Sequence, residues 1–339
     1  MIRRLRVRRT WGRGPGQGEW SITPQPTGKR YARRSSYRRP SKGSSGLIWV
    51  LVAAGALAIA VVLILTSHKQ ENMGATAPYL NKPVSASVLS LLTTIPASTY
   101  SEFATSKTVS FVNSLGASII PDTASQAEAA ASSTAAASGT SSTPSTPLTE
   151  WTSGGKPVIF YAGAEYCPYC AASRWGLITA LARFGTFSGL EYMASSPLDV
   201  YPLTPTFTFV HATYTSTYID FTPVELYSYV YSSKIGYYET LETPDSTEEN
   251  ALTRLGNGGI PFVDLANEYV WPGGTLVSPT IFPSGAKWSE VAQEVHAGQG
   301  QIAEDVLGVA DVITANICKV DGGQPSAVCS TVSSLEGVA

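Results

Sequence analysis

The sequence predicts an α/β domain that follows a single transmembrane helix and a disordered linker. Three observations lead to this prediction: an uncharged run at residues 47–66, an Ala/Ser/Thr tract at residues 123–149, and the segment KPVIFYAG, which runs shortly into CPYCAASRWGLITALARFG. The first is typical of a membrane span and the second of a linker. The third is typical of a buried strand that leads into a helix.

Residues 47–66 would span one hydrocarbon core, because a helix of this length is about 30 Å long. Residues 1–46 carry 13 Lys or Arg against one acidic residue, and such a basic arm stays on the cytoplasmic side. We therefore expect a single-pass protein of the cell membrane, with its N-terminus cytoplasmic and its remaining residues outside. A cleaved signal peptide is the alternative, although the arm is long for one. The arm could also bind nucleic acid, but a tail beside anionic lipid is favoured and no nucleic-acid partner is predicted.

The rest of the chain divides into three parts. Residues 67–122 form an extracytoplasmic segment that is partly helical, because VSASVLSLLTTI has apolar residues at helical spacing after Pro83. Residues 123–149 form the linker, since 21 of these 27 residues are Ala, Ser or Thr and cannot bury enough apolar surface to become ordered. Residues 150–339 form one domain, which is long enough for a single core.

Within this last domain the pattern predicts a series of strands and helices. KPVIFYAG is a buried strand, and the following helix begins near Pro168, which suits a first helical position. GLEYMAS predicts a second strand, parallel to the first across a right-handed crossover. PTFTFVHATYTSTYIDFT predicts a hairpin or edge extension, PVELYSYVYSSK a helix, and GIPFVDLANEYVW two strands with a turn at Ala266 and Asn267. AKWSEVAQEVHAG and QIAEDVLGVADVITANIC predict two closing helices.

Cys167 and Cys170 stand at the start of the first of these helices. Unpaired backbone N–H groups and the helix dipole would stabilise a thiolate at Cys167 and lower its pKa. Cys170 faces the same side of the helix, close enough for a disulfide that opens and closes. We expect Cys167 to exchange with a client and Cys170 to resolve the mixed disulfide. A structural disulfide and a zinc site built from all four cysteines remain as alternatives.

Other candidates surround this pair or lie far from it in sequence. Glu165 is a candidate proton acceptor for Cys170, or else a solvated loop acid. Arg174 could pair with Glu165 or a substrate carboxylate, with a surface ion pair favoured. Cys318 and Cys329 are expected to form a structural disulfide, with an electron relay to the first pair as the alternative. No metal site and no cofactor are predicted, because no metal-ligand cluster or phosphate-binding loop is present in the sequence.

The segment VIFYAGAEYCPYC resembles the signature of the thioredoxin superfamily, and GGIPFVDL resembles its second mark, a cis-proline loop that faces the disulfide. The resemblance implies a thioredoxin-like three-layer α/β/α sandwich, here with an insertion around residues 196–222. It also implies a cis peptide bond before Pro261. The residues expected to bind an extended substrate chain are Tyr166, Pro168, Tyr169, Ile260 and Pro261. The wider pattern is similar to an uncharacterised prokaryotic membrane-anchored family catalogued as domain of unknown function 929.

Together these features predict a membrane-tethered extracytoplasmic thiol–disulfide oxidoreductase that acts on cysteine-containing exported proteins. A membrane-embedded redox partner could reset its cysteine pair. The alternative is a non-catalytic binding module that holds extended chains or a membrane complex beside Pro261. Reactivity of Cys167 with protection of Cys170 would favour the enzyme.

Overall fold

The computed structural model describes residues 80–105, 120–121, 149–283 and 286–335. All of them fall in the second of the two units into which the chain divides, residues 59–339. The basic arm at residues 1–46, the predicted span at 47–66 and nearly all of the linker at 123–149 lie outside the described residues.

The helices of the described part are found mainly before the first long strand and at the end of the chain. Two short 3₁₀ helices, Pro279–Ile281 and Ser330–Leu335, accompany them. The α-helices are α1 (Ala86–Thr93), α2 (Ala97–Phe103), α3 (Pro168–Leu181), α4 (Ser246–Gly256), α5 (Trp288–Ala297), α6 (Gln301–Val320) and α7 (Ser326–Cys329).

The strands form one sheet of six strands and three two-stranded sheets among the described residues. The strands are β1 (Ile120–Pro121), β2 (Thr152–Ser153), β3 (Lys156–Gly163), β4 (Gly185–Ser188), β5 (Glu191–Ala194), β6 (Pro205–Thr208), β7 (Thr213–Ser216), β8 (Asp220–Glu225), β9 (Tyr227–Ser232), β10 (Tyr237–Thr240), β11 (Phe262–Leu265) and β12 (Tyr269–Pro272). The large sheet has the order β1-β12-β11-β3-β2, and β8 pairs with β3. The small sheets pair β4 with β7, β5 with β6 and β9 with β10.

The predicted α/β class, with its thioredoxin-like three-layer sandwich, is wrong. The structure mixes helices with sheets that are mainly antiparallel: in the described part, β3 and β8 form a parallel pair, and the other paired strands run antiparallel. Short connections favour antiparallel neighbours, and several of these strands are joined by turns of a few residues. The predicted second strand, GLEYMAS, contains β5, which pairs antiparallel with β6 away from the large sheet. The crossover through α3 reaches β8 instead.

The local predictions differ in their outcome. The turn at Ala266 and Asn267 is confirmed, because both residues have positive φ angles of 60° and 59° between β11 and β12. The two closing helices are confirmed as α5 and α6. The helix predicted for PVELYSYVYSSK is wrong: this segment holds the end of β8 and all of β9. Tyr and Val favour strands, and their alternation with Ser suits a half-buried strand, so this segment forms β9 and not a helix.

The main core lies where α3 and α6 pack on each other and on β3. Trp175, Ile159 and Val306 are fully buried members of the same apolar cluster. Gly176 allows the close approach of the two helices, because a Cβ atom there would lie 2.7 Å from Val309 Cγ1. The helix predicted after Pro83 is confirmed as α1, and its residues Val88 and Leu92 join this cluster. This segment therefore packs on the main domain.

No helix in the described ranges has both the length and the apolar character needed to cross a membrane. The predicted span at residues 47–66 lies outside these ranges. The described part of the chain therefore gives no support to the predicted single-pass anchoring, the membrane partner or the cell-membrane localisation, and these three predictions are withdrawn.

Candidate functional site

The candidate site is built around the first turn of α3. Cys167 is the N-cap residue of this helix, with an extended backbone, and Pro168 follows at the first helical position. The Cys167 Sγ atom accepts a hydrogen bond from the backbone N–H of Cys170 at 3.3 Å. This is the position in which a side chain satisfies an N–H group that the helix leaves unpaired. The sequence prediction of a helix that begins at the cysteine pair is confirmed.

The two sulfurs differ in their exposure to solvent. Cys167 keeps 6% of its surface exposed, whereas Cys170 is completely buried, and both are present as thiols. They form a small apolar cluster with Ala164, against which Tyr166, Tyr227 and Ile260 pack. A molecule that reaches the pair from solvent therefore meets Cys167 before Cys170.

The pKa values of the two thiols are displaced in opposite directions. The hydrogen bond with the Cys170 side chain lowers the pKa of the Cys167 thiol, and the backbone N–H of Cys170 and the Arg174 charge add to this, while burial opposes it. Burial raises the pKa of Cys170 well above its ordinary value, and the neighbouring Cys167 raises it further. The predicted lowering at Cys167 agrees in direction, but the second thiol contributes more than the helix N–H groups. Such a pair has one thiol suited to attack and one held in reserve.

The proline loop lies against the same cluster. The Ile260–Pro261 peptide bond is cis, as the sequence predicted, and β11 begins immediately after it at Phe262. Ile260 packs against the cysteine cluster, whereas Pro261 is buried. The structure thus brings together Cys167 and Ile260, which are 93 residues apart in the sequence.

Glu165 is a buried carboxyl group rather than a solvated loop acid. Only 4% of the residue is exposed. Burial raises the pKa of Glu165 to about 7, and the nearby Glu225 carboxylate adds to the rise. Hydrogen bonds with the Thr208 side chain and the Tyr229 backbone, together with the Arg174 charge, lower it in part. A carboxyl group with this pKa can both accept and release a proton near neutral pH.

Arg174 pairs with a residue that the sequence analysis did not consider. Its Nε donates to Glu225 Oε1 at 2.9 Å and its Nη2 to Glu225 Oε2 at 2.5 Å. Both side chains are fully buried, so the predicted surface ion pair is wrong, and so is the predicted pairing with Glu165. Glu225 ends β8 directly opposite Gly163 of β3, and β3 leads into the cysteine turn. This parallel register places Glu225 beside the site.

Residues 147–253 match the family model described as "Domain of unknown function (DUF929)". This segment links the chain to the DUF929 family. The DUF929 segment contains Glu165, both cysteines of the pair, Arg174 and Glu225, and it ends before Ile260 and Pro261. No curated protein and no solved structure matches the chain.

Tyrosine side chains surround the mouth of the site within the DUF929 segment. Tyr166 is half-buried, stacks on Tyr238 with ring centroids 4.0 Å apart, and shares a hydrogen bond of 2.8 Å with the Tyr237 hydroxyl. Tyr169 is exposed and contacts Tyr201 edge to face. Pro168 is buried in the helix start and offers little surface to a substrate.

Cys318 and Cys329 are joined in a disulfide, as predicted. The bond connects the end of α6 to α7, and both residues pack in the main core cluster rather than in the cluster of Cys167 and Cys170. Because this bond occupies two of the four sulfurs, a four-cysteine zinc site lacks half of its ligands. Among the described residues no group of His, Cys, Asp and Glu is arranged to hold a metal ion.

Sequence reasoning missed Glu225 and the tyrosines of β9 and β10. They lie in or after PVELYSYVYSSK, for which the sequence pattern predicts a helix. The alternation of large and small residues in YSYVYS was the available signal for a strand. A strand that ended at Glu225 and ran parallel to β3 would have placed this carboxylate at the same sheet edge as the cysteine turn.

Proposed function

We propose that this protein is a thiol–disulfide oxidoreductase that exchanges Cys167 and Cys170 with cysteine-containing polypeptides. The observation that carries the proposal is the asymmetry of the pair. Cys167 is at the solvent edge and has a lowered pKa, while Cys170 is fully enclosed three residues later. A thiolate is the attacking species in exchange, and a buried second thiol resolves the mixed disulfide.

Reduction of a client proceeds in two steps. The Cys167 thiolate attacks one sulfur of a client disulfide, forms a mixed disulfide, and releases the other client sulfur as a thiolate that takes a proton from solvent. Cys170 then loses its proton and attacks Cys167 Sγ, so that the Cys167–Cys170 disulfide forms and the first client sulfur leaves as a thiolate. Two electrons pass from the cysteine pair to the client. Oxidation of a client dithiol is the reverse sequence, and a small dithiol or disulfide restores the pair in either direction.

Glu165 supplies a carboxyl group whose protonation changes near neutral pH. Cys170 must lose a proton before it can attack, and burial opposes that loss. The Glu165 carboxyl and the Cys170 thiol both interact with the Arg174 charge, which brings the two titrating groups into one electrostatic network. We therefore assign to Glu165 the uptake of the proton that the pair releases.

An apolar rim is available to an unfolded client. Tyr169 has 37% of its surface exposed, and the loop at residues 195–204 is tied to Tyr166 by a hydrogen bond from Ser196 N–H to the Tyr166 carbonyl oxygen. This loop exposes Leu198 and Val200 to more than half of their extent. Ile260 also packs against the cysteine cluster. Apolar side chains in this arrangement suit extended chains with exposed hydrophobic residues.

The proposal extends to a relationship with the thioredoxin superfamily at the level of the site. It is supported by the Cys-Pro-Tyr-Cys sequence at a helix start and by the contact of Ile260 with the cysteine cluster. The DUF929 match neither requires nor opposes this relationship, because its description assigns no activity.

A binding module is the second candidate. Its supporting observation is that both thiols are largely covered, with 6% and 0% of their surface exposed, beside an exposed apolar rim. Such a site could hold an extended chain without exchanging disulfides. In that case Cys167 and Cys170 would only fill the core beneath the rim.

Alkylation and turnover separate the two candidates. The reduced full-length chain is treated with iodoacetamide near neutral pH, and labelled peptides are identified by mass spectrometry. The oxidoreductase is expected to label at Cys167 and not at Cys170, and to reduce insulin in the presence of dithiothreitol. C167S should lose this activity, while C170S should accumulate mixed disulfides with the client. A chain that binds unfolded polypeptide with unchanged affinity in C167S, and shows no insulin reduction, would instead be a binding module.

A further inference from the structure

Three buried charged side chains lie in the network beneath the cysteine pair: Glu165, Arg174 and Glu225. Arg174 is four residues after Cys170 on α3, so its side chain leaves the helix on the same face as the thiols. Glu225 approaches from β8 and holds the guanidinium with two hydrogen bonds. The Arg174 charge thus acts on both carboxyl groups, but its hydrogen bonds are made to Glu225.

The consequence for Glu165 follows from charge balance. In a water-poor interior a carboxylate without a paired cation is costly, and it remains protonated to higher pH. The Nε and Nη2 atoms of Arg174 donate hydrogen bonds to Glu225, and its Nη1 atom is buried without a hydrogen-bond partner. The guanidinium charge still acts on its neighbours, because it lowers the pKa values of Glu165, Cys167 and Cys170.

We propose that Glu225 is a positioning residue of the exchange reaction: it fixes the Arg174 guanidinium near the two thiols, while Glu165 is the carboxyl that exchanges a proton. The inference rests on the proposed oxidoreductase function. Glu225 touches neither the client nor a reacting sulfur in this scheme, and it acts through Arg174. In this scheme Glu165 takes the proton that Cys170 gives up and later returns it to solvent.

Other titratable groups face this network from each neighbouring element. Glu242 accepts a hydrogen bond from the Glu225 backbone N–H at 2.6 Å and adds a second carboxyl group near the ion pair. Two tyrosines, Tyr161 and Tyr229, also interact with the charged groups of this network, and burial raises the pKa of each. The facing groups are Tyr161 on β3, Cys167 and Cys170 at α3, Tyr229 on β9 and Glu242 after β10.

The test compares the two ends of the ion pair, because a purely structural pair and a charge-positioning pair give different results. E225Q removes the negative end and leaves the Arg174 charge unbalanced, so the thiolate of Cys167 should form at lower pH. R174M removes the positive end of the pair, so the Cys167 thiolate should form at higher pH. A nearby charge typically moves a pKa by about one unit or more. The measurement is thiolate absorbance near 240 nm, and the pH dependence of Cys167 alkylation, in the reduced full-length chain.

The chain offers a matched control. Arg183 and Asp311 form a second buried ion pair, with an Nη1–Oδ1 distance of 2.9 Å, in the core beyond the C-terminal end of α3. R183M and D311N remove the same charges from that pair. They are expected to leave the Cys167 titration unchanged. A shift in the controls equal to that in the site variants would overturn the proposal.

Loss of folding is separated from loss of positioning by the double variant R174M/E225Q, which removes both charges together. Its Cys167 titration should lie above that of the wild type, because the nearer, positive charge has gone. Shifts of E225Q and R174M in the same direction, or an unchanged titration in the double variant, would overturn the positioning role. Because the readout is a thiol titration, it remains informative if insulin reduction is absent. In that case the proposed function fails while the charge network can still be confirmed.

Discussion

The Cys167 sulfur accepts a hydrogen bond from the Cys170 backbone N–H at 3.3 Å, and the Cys170 side chain is the largest cause of the lowered pKa of Cys167. The two residues are therefore one unit, in which the buried member prepares the exposed one. The pKa of Cys167, which reacts first, depends on the side chain of Cys170, which reacts second, and this dependence can be measured.

Replacing Cys170 by Ala should raise the pKa of Cys167, because the side-chain hydrogen bond that favours the thiolate is lost. A rise of about one unit would slow alkylation of Cys167 near neutral pH roughly tenfold, since the thiolate is the reactive form. C170S is the matched control, because a hydroxyl group can still donate a hydrogen bond to the sulfur. Equal alkylation rates in the wild type, C170A and C170S would contradict the assignment.

Glu165 should make stability depend on pH. Folding raises its pKa from 4.5 to about 7, so the unfolded chain releases this proton more readily than the folded one. The contribution of this group to stability is therefore complete below pH 4.5 and is lost as the pH rises toward 7. The loss at pH 8 is on the order of 3 kcal/mol if the group acts independently.

E165Q replaces the titrating carboxyl group with a neutral amide and should therefore weaken the fall in stability between pH 4.5 and pH 7. Urea unfolding at pH 5 and pH 8 checks the expectation. The stability difference between the two pH values should be smaller in E165Q than in the wild type. E304Q, at an exposed position on α6, serves as the control and should retain the wild-type difference. A wild-type-like pH dependence in E165Q would show that the carboxyl is already ionised in the folded chain at pH 5.

The local features of the site could be predicted from the sequence, whereas its charges could not. Pro168 after Cys167 identifies the helix start, and the positive φ angles at Ala266 and Asn267 occur at the turn that separates β11 from β12. These signals depend on neighbouring residues alone. The burial of Arg174 depends on Glu225, which is 51 residues away, and charged residues are rarely buried unless they are paired. The parallel pairing of β3 with β8 is likewise a long-range choice that no short pattern specifies.

The apolar rim should affect polypeptide clients more than small disulfides. Leu198 and Val200 are 56% and 63% exposed in the loop that contacts Tyr166, so their replacement by Ser costs the fold little. The double variant L198S/V200S should slow exchange with an unfolded cysteine-containing polypeptide several-fold. Its rate with hydroxyethyl disulfide, which is too small to contact the rim, should remain at the wild-type value. If both rates fall together, the loop supports the cysteine pair rather than the client.

The Cys318–Cys329 disulfide should stabilise the chain without taking part in exchange. Cys318 and Cys329 are 11 residues apart, and the closure of so short a loop contributes roughly 3 kcal/mol to stability. Both residues are buried in the main core cluster, apart from the cluster of Cys167 and Cys170. C318S/C329S should therefore unfold at lower urea concentration, and below its unfolding transition it should reduce insulin at the wild-type rate. An electron relay predicts the opposite pattern, in which the variant remains folded at the assay temperature and loses turnover while single-turnover reaction at Cys167 persists.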